Sequence, residues 1–287
     1  MVTIPYVITQ TPLGTEQDDG DIERKLGLYE RLWGSGAVRK TAIVLAMAAA
    51  WEIYARYLDN PLLFPTLSDT LQAGWEAIKD GTLPRRALTS VEVLLIGYSV
   101  GVLIAAAVSV LAISTRIGSD FLETASSMFN PLPAIALLPL ALIWFGLGPA
   151  SIVFVLIHSV LWAVALNTHS GFLAVSQTLR MVGLNYDLRG LRYVVKIFVP
   201  AAFASILTGL KIGWAFAWRT LIAAELVFGV SSGQGGLGWY IFEKRNTLDI
   251  AGVFSGLVTV ILIGLLVENV IFRTVENMTV RRWGLQS

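Results

Sequence analysis

The sequence predicts an all-α integral membrane protein, and three observations carry that expectation. Of the 287 residues, 55% are hydrophobic and only 14% charged, whereas a soluble globular protein carries roughly 25% charged residues. Mean hydropathy is +0.68. Six stretches are apolar over about the 20 residues that a helix needs to cross ~30 Å of hydrocarbon. The net charge is +1, so bulk charge says nothing about nucleic-acid or acidic partners; for a membrane protein no nucleic-acid partner is expected. With no Cys in the chain, disulfides, thiolate metal sites and a cysteine nucleophile are excluded.

Taken in order, residues 1–39 form a polar tail. It lacks an early apolar run and contains "EQDDGDIE", so it does not read as a signal peptide. Within it "DIERKLGLYERLW" places Ile22, Leu26, Tyr29 and Trp33 on one helical face. That face suits either the membrane surface or packing on the protein. Residues 40–287 form the membrane domain, with spans expected at about 40–58, 87–113, 126–147, 150–171, 201–229 and 249–273. Between the first two, "SDTLQAGWEAIKDG" predicts a short interfacial helix with Ser68 as N-cap and Gly81 past its end.

Lys and Arg divide unevenly between the two sets of connections. The N-terminal tail, the 114–120 turn, the 172–200 segment and the C-terminal tail hold thirteen, against five in the opposite set. The positive-inside rule puts the first set, and both termini, in the cytoplasm.

Packing follows from small residues, because lipid gives helices no hydrophobic reason to associate. Gly97, Gly101, Ala105 and Ser109 recur at four-residue steps, as do Ser205, Gly209, Gly213 and Ala217, and the sixth span has Gly252, Gly256 and Gly264. Pro131, Pro133 and Pro139 should break or kink the third span. Backbone freed in this way must be satisfied by protein or a water cavity.

The segment 172–200 is too long for a simple connection. Val175, Leu179 and Val182 make one apolar stripe, and Leu188, Leu191, Val195 and Phe198 another, with a break expected at Gly183–Leu184–Asn185. Two short helices would present that turn to the cytoplasm, either for docking or to lie on the bilayer. The stretch "QTLRMVGLN…VVKIFVPAA" resembles the Glu-Ala-Ala-type loop of permeases of bacterial ATP-binding-cassette importers. Gln177, Thr178 and Leu179 stand where that triplet would be, and Gly183 and Pro200 match its Gly and Pro, at a longer spacing than usual. "PAAFASILTGLKIGWAFAWRTLIAAELVFG", "GGLGWYIFE", "ENVIFRTVENMTVRRWG" and "NPLPAIALLPLALIWFGLG" resemble the nitrate, sulfonate and taurine branch of those permeases. The resemblance covers roughly residues 60–285.

This resemblance implies a type I importer transmembrane domain of six helices. It also implies a partner copy of the same chain, two cytoplasmic ATPase subunits, and a periplasmic or lipid-anchored binding protein. Transport would proceed by alternating access. No cofactor bound by this chain is expected; ATP and Mg would be used by the ATPase, since the chain has no Gly-x-x-x-x-Gly-Lys-Ser/Thr loop. The coupling surface would be Gln177, Arg180, Gly183, Leu184, Asn185, Tyr186 and Arg189, with Arg180 and Arg189 facing either acidic groups of the ATPase, or lipid phosphates or water.

Ionisable residues inside spans usually face the bundle interior or a cavity. Lys211, Trp214, Trp218 and Glu225 share one helical face, and Arg219 lies about 80° away. In the family pattern a basic residue, Trp and Glu stand at the places of Lys211, Trp218 and Glu225. These five, with Asn130 and His158, are the expected pathway residues for a small anion. The other reading places Lys211 and Glu225 near opposite membrane faces, capping helix ends or paired with neighbouring spans, with Arg219 bound to carbonyls. His158 and His169 are eleven residues apart, ~16.5 Å along a helix, which is too far to share a metal. A hydrogen-bonded structural role is expected for His158. An ion-gradient-driven carrier and a membrane-embedded enzyme are the rival classes; no reactive constellation supports the latter.

Overall fold

A computed structural model describes residues 36–228 and 235–279. The helix expected near 22–33, the C-terminal tail and most of the 231–236 loop lie outside the described residues. The described residues are helical, with no strand. The described residues divide into two units between Ala50 and Trp51. Helix α1, Gly36–Leu58, has 23 residues and an Ala-rich centre. It is long enough to cross a membrane but is not among the helices apolar enough to do so. Glu52 and Arg56 interrupt its last turns, where they form an i,i+4 ion pair at 2.7 Å. Three helices do qualify, or five if each of two bent pairs counts as one span. The expected six therefore included one stretch, 40–58, that falls short.

Helix α2, Leu67–Lys79, is capped by Thr66 and not by Ser68 as expected: Thr66 Oγ1 accepts from Asp69 N at 3.0 Å. Ser68 instead gives its backbone N–H and hydroxyl to Glu52 at 3.2 and 2.9 Å. Gly81, at φ +76°, makes the turn into α3, Thr82–Ser114.

The core of the larger unit is α3, α6 (Pro149–Leu173) and α9 (Phe203–Phe228). Helices α3 and α6 run parallel: Gly97 lies against Leu156, Gly101 against Val160, and Ser109 beside the Ala165 carbonyl. Helix α9 runs antiparallel to α6, with Gly209 on Asn167 and Gly213 on Val164. Both small-residue stripes thus face α6. A Cβ at Gly97 would lie 2.7 Å from Leu156 Cβ, so backbone approach there depends on having no side chain. Half of the apolar window of α6 is buried, against 28% for α3 and 22% for the last span. That makes α6 the central helix.

The third expected span, 126–147, is two helices. Helix α4, Arg116–Phe129, is capped by Thr115 and turns Leu122, Ala125 and Ser126 inward. A break at 130–133, containing Pro131 and Pro133, leads into a 3-10 turn and α5, Leu138–Phe145, with an 86° bend between the two arms. Helix α4 was missed because Ser, Thr and Glu separate its apolar residues. Pro139 causes no kink, since it sits in the first turn of α5, where no N–H is needed.

Helix α7, Gln177–Asn185, runs through the residues expected to be the break. The turn lies at 186–189, where Asp187 takes φ +52°, and Gly190 follows at +55°. Helix α8, Gly190–Ala201, meets α9 at an 80° bend. Its π-helical turn, Val194–Phe198, precedes Pro200, which cannot donate to the Lys196 carbonyl. Helices α10, Leu237–Asn246, and α11, Ile250–Met278, complete the unit.

Candidate translocation and coupling sites

The α7–α8 hairpin is tied to the end of α6 by one side chain. Arg180 Nη2 donates to the carbonyls of Phe172 at 3.1 Å and Leu173 at 2.9 Å, and Nε to Val175 at 3.0 Å. These include carbonyls that a helix C-terminus leaves without intrahelical partners, and a cation is favoured there. Its guanidinium also lies over the Phe198 ring at 5.4 Å. Tyr193 Oη donates to the Arg180 carbonyl at 3.0 Å. Phe172, Val175, Val194, Phe198 and Ala202 close a small core beneath. Gly183 is where the two arms touch, since a Cβ there would lie 2.5 Å from the Tyr193 ring. Arg180, expected to face acidic groups of the ATPase, lipid phosphates or water, donates to three carbonyls of its own chain. Arg189 pairs with Asp187 at 3.0 Å, both almost fully exposed. Gln177 opens α7 behind the Ser176 cap, and Asn185 closes it. The tip shows Leu184, Tyr186 and Leu191 to solvent at 58%, 76% and 65%.

The expected pathway residues fall into three places. Glu225, 3% exposed, accepts from Ser90 Oγ at 2.8 and 2.9 Å and from Gly238 N at 2.8 Å. Ser90 Oγ in turn accepts from Leu237 N at 2.8 Å. A carboxylate thus gathers the first N–H groups of α10, where a negative charge is favoured. Gly236 and Gly238 permit the approach: a Cβ on Gly236 would lie 2.2 Å from Glu225 Oε1. Arg86 extends the node to the Gly235 carbonyl at 2.8 Å and to Glu243 at 3.0 Å.

Lys211 forms an ion pair with Glu276. Fourteen residues separate it from Glu225, about 21 Å along a helix, so the two serve opposite ends of α9. Trp218 donates to the Val260 carbonyl at 3.3 Å, and Trp214 packs on Tyr98 and Phe272. With Arg219 and Glu268 these residues border a cavity of about 200 Å³.

A larger cavity, about 330 Å³, joins Asn130, His158 and Arg219 to Trp162, Phe216 and Thr220. It lies between the break of the third span and the α6–α9 pair. Neither ring nitrogen of His158 completes a hydrogen bond of ordinary geometry, although the Phe129 backbone lies beside the ring. The expected structural role thus lacks its hydrogen bond. The arrangement can hold an anion and offers no nucleophile–base pair. Three residues escaped sequence reasoning. Ser90 is one of many small residues in α3, Tyr193 one aromatic among several, and the role of Thr66 depended on where α2 began.

The chain matches the family "Binding-protein-dependent transport system inner membrane component" over residues 94–282. It is 29% identical to the nitrate import permease protein of Synechocystis sp. over 257 residues, which cover 86% of this chain and 91% of that one. With the taurine transport system permease protein of Escherichia coli it shares 25% identity over 231 residues, 79% of this chain and 82% of the relative. The all-helical unit fits a type I importer transmembrane domain, and no observation favours an ion-gradient-driven carrier. The chain therefore belongs to the inner membrane components of binding-protein-dependent transport systems, and is the permease of an ATP-binding-cassette importer.

Proposed function

We propose that two copies of this chain form the pathway through which a small anion or organic anion enters the cell, with each copy gripped at its α7–α8 tip by an ATPase subunit. Sulfonates and taurine lead as substrates, followed by nitrate, bicarbonate or an aromatic acid. The names of two relatives support taurine and nitrate within that range. ATP hydrolysis belongs to the partner, and a binding protein delivers solute at the other face. Both termini lie in the cytoplasm, residues 1–39 are a cytoplasmic tail, and 40–287 are the permease domain.

The observation that carries the mechanical part is the Arg180 tie. A hairpin whose base is fixed to the carbonyls of α6, the central helix, and whose exposed tip is apolar moves as one body with that helix. Force applied at Leu184 and Tyr186 reaches α6 without a slack joint. The test is the reconstituted complex carrying Leu184→Asp with Tyr186→Ala. ATPase association and ATP-driven taurine uptake should be lost while the permease still inserts. Unchanged uptake removes the docking role from this tip.

A further inference from the structure

We propose that the 330 Å³ cavity beside the third-span break is an intramembrane oxyanion site, with Arg219 as its charge contact and Trp162 and Asn130 as its neutral donors. The proposal rests on the importer reading above and deepens it.

Arg219 lies nine residues from the end of α9, about 13 Å at 1.5 Å per residue. Its Nε donates to the Ala215 carbonyl at 2.9 Å, and its guanidinium lies over Phe216 at 5.1 Å. Among the described residues it has no ion-pair partner. Glu268 borders the neighbouring cavity without pairing to it, and Glu225 is spent on Ser90 and Gly238. The side chain is exposed. A guanidinium at this depth is too costly to face lipid, so this surface faces water or protein. Its two terminal nitrogens remain available as a planar fork, which suits paired oxygens of a sulfonate, carboxylate or nitrate.

Trp162, which lines the same cavity, supplies a second, independent observation. Trp162 is 9% exposed, and among the described residues its Nε1–H has no hydrogen-bond partner. An indole nitrogen can only donate, and a buried donor left unpaired is costly. Phe129 stacks on the Trp162 ring at 5.9 Å, so the ring is held in place. Asn130 adds an amide at the break, where the chain leaves helical geometry. The wall has no carboxylate. One cation, the Trp162 and Asn130 donors, the His158 ring and the Ser159 and Thr220 hydroxyls on the same lining, aromatic walls and room for a short organic tail describe a site for a small singly charged oxyanion.

The chain has no cysteine, so single thiols can be introduced cleanly. Thr220→Cys, with Ser159→Cys as the second site, is placed in the full chain assembled with its ATPase in membrane vesicles. Each is treated with an anionic and with a cationic methanethiosulfonate reagent of similar size. The anionic reagent should react about ten-fold faster, and Arg219→Gln should abolish that preference. Methanesulfonate, against chloride at equal ionic strength, should slow the reaction in wild-type background and not in Arg219→Gln. Thiols unreactive at both positions would mean that lipid or a second copy covers this face, and would overturn the proposal. Equal reagent rates irrespective of Arg219 would do the same. Labelling needs no solute delivery, so failed ATP-driven uptake with the charge preference intact would instead count against the importer reading.

Discussion

Glu225 and Arg180 do the same job at opposite ends of the bundle with opposite charges. Glu225 collects amide protons at the start of α10, and Arg180 collects carbonyls at the end of α6. Each sign is the one that a helix terminus favours. They differ in their access to water. Glu225 is 3% exposed, and its partners Ser90 and Gly238, with Leu237 bonded to Ser90, are equally enclosed. Arg180 is half-buried at the rim, beside exposed Leu173 and Leu179. Where water can take over a lost partner the bond is replaceable; where it cannot, the orphaned groups bear the full desolvation cost. The first contact should therefore hold the structure together, and the second should transmit motion.

The largest effect is expected at Glu225→Ala, which strands the Gly238 N–H and the Ser90 hydroxyl. We expect a loss of about 2–5 kcal/mol, read as a lower denaturation midpoint of the purified complex. Glu225→Gln, which keeps one acceptor oxygen, should fall between this variant and wild type. A change of about 1–3 kcal/mol is expected for Ser90→Ala, which leaves Glu225 with Gly238 but strands the buried Leu237 amide. Arg180→Ala should come next, at about 1–2 kcal/mol. Its distinguishing sign is functional: basal ATP hydrolysis persists while uptake per ATP falls, because α7 no longer moves with α6. If Arg180→Ala destabilises as much as Glu225→Ala, the contrast between the two ends is wrong. Least of all, Arg189→Ala breaks an exposed pair with Asp187 and should not shift the midpoint measurably. A lost ATPase contact in that variant, seen by co-purification, would turn Arg189 from a solvated charge into a docking residue.

Much of this was legible from residue order. Gly97, Gly101, Gly209 and Gly213 marked two faces that pack, and the structure puts both on α6. The proline pair marked a break where there is one. Periodicity failed where a residue's partner came from far along the chain. Lys211, Trp214, Trp218 and Glu225 share a stripe, yet Glu276, Tyr98, Val260 and Ser90 claim them separately. The hairpin turn was placed three residues early because Gly183 reads as a breaker. In the folded chain it is a contact point, and Asp187 with Gly190 supplies the left-handed backbone.

Amino-acid composition and the spacing of apolar and small residues were enough to specify membrane helices and the surfaces on which they meet, because lipid rewards only length, apolarity and close backbone approach. Which charges are spent and which are free was settled by folding. Hydrogen bonds and ion pairs reach only a few ångströms, and the groups they join, such as Ser90 and Glu225, stand 135 residues apart in the chain.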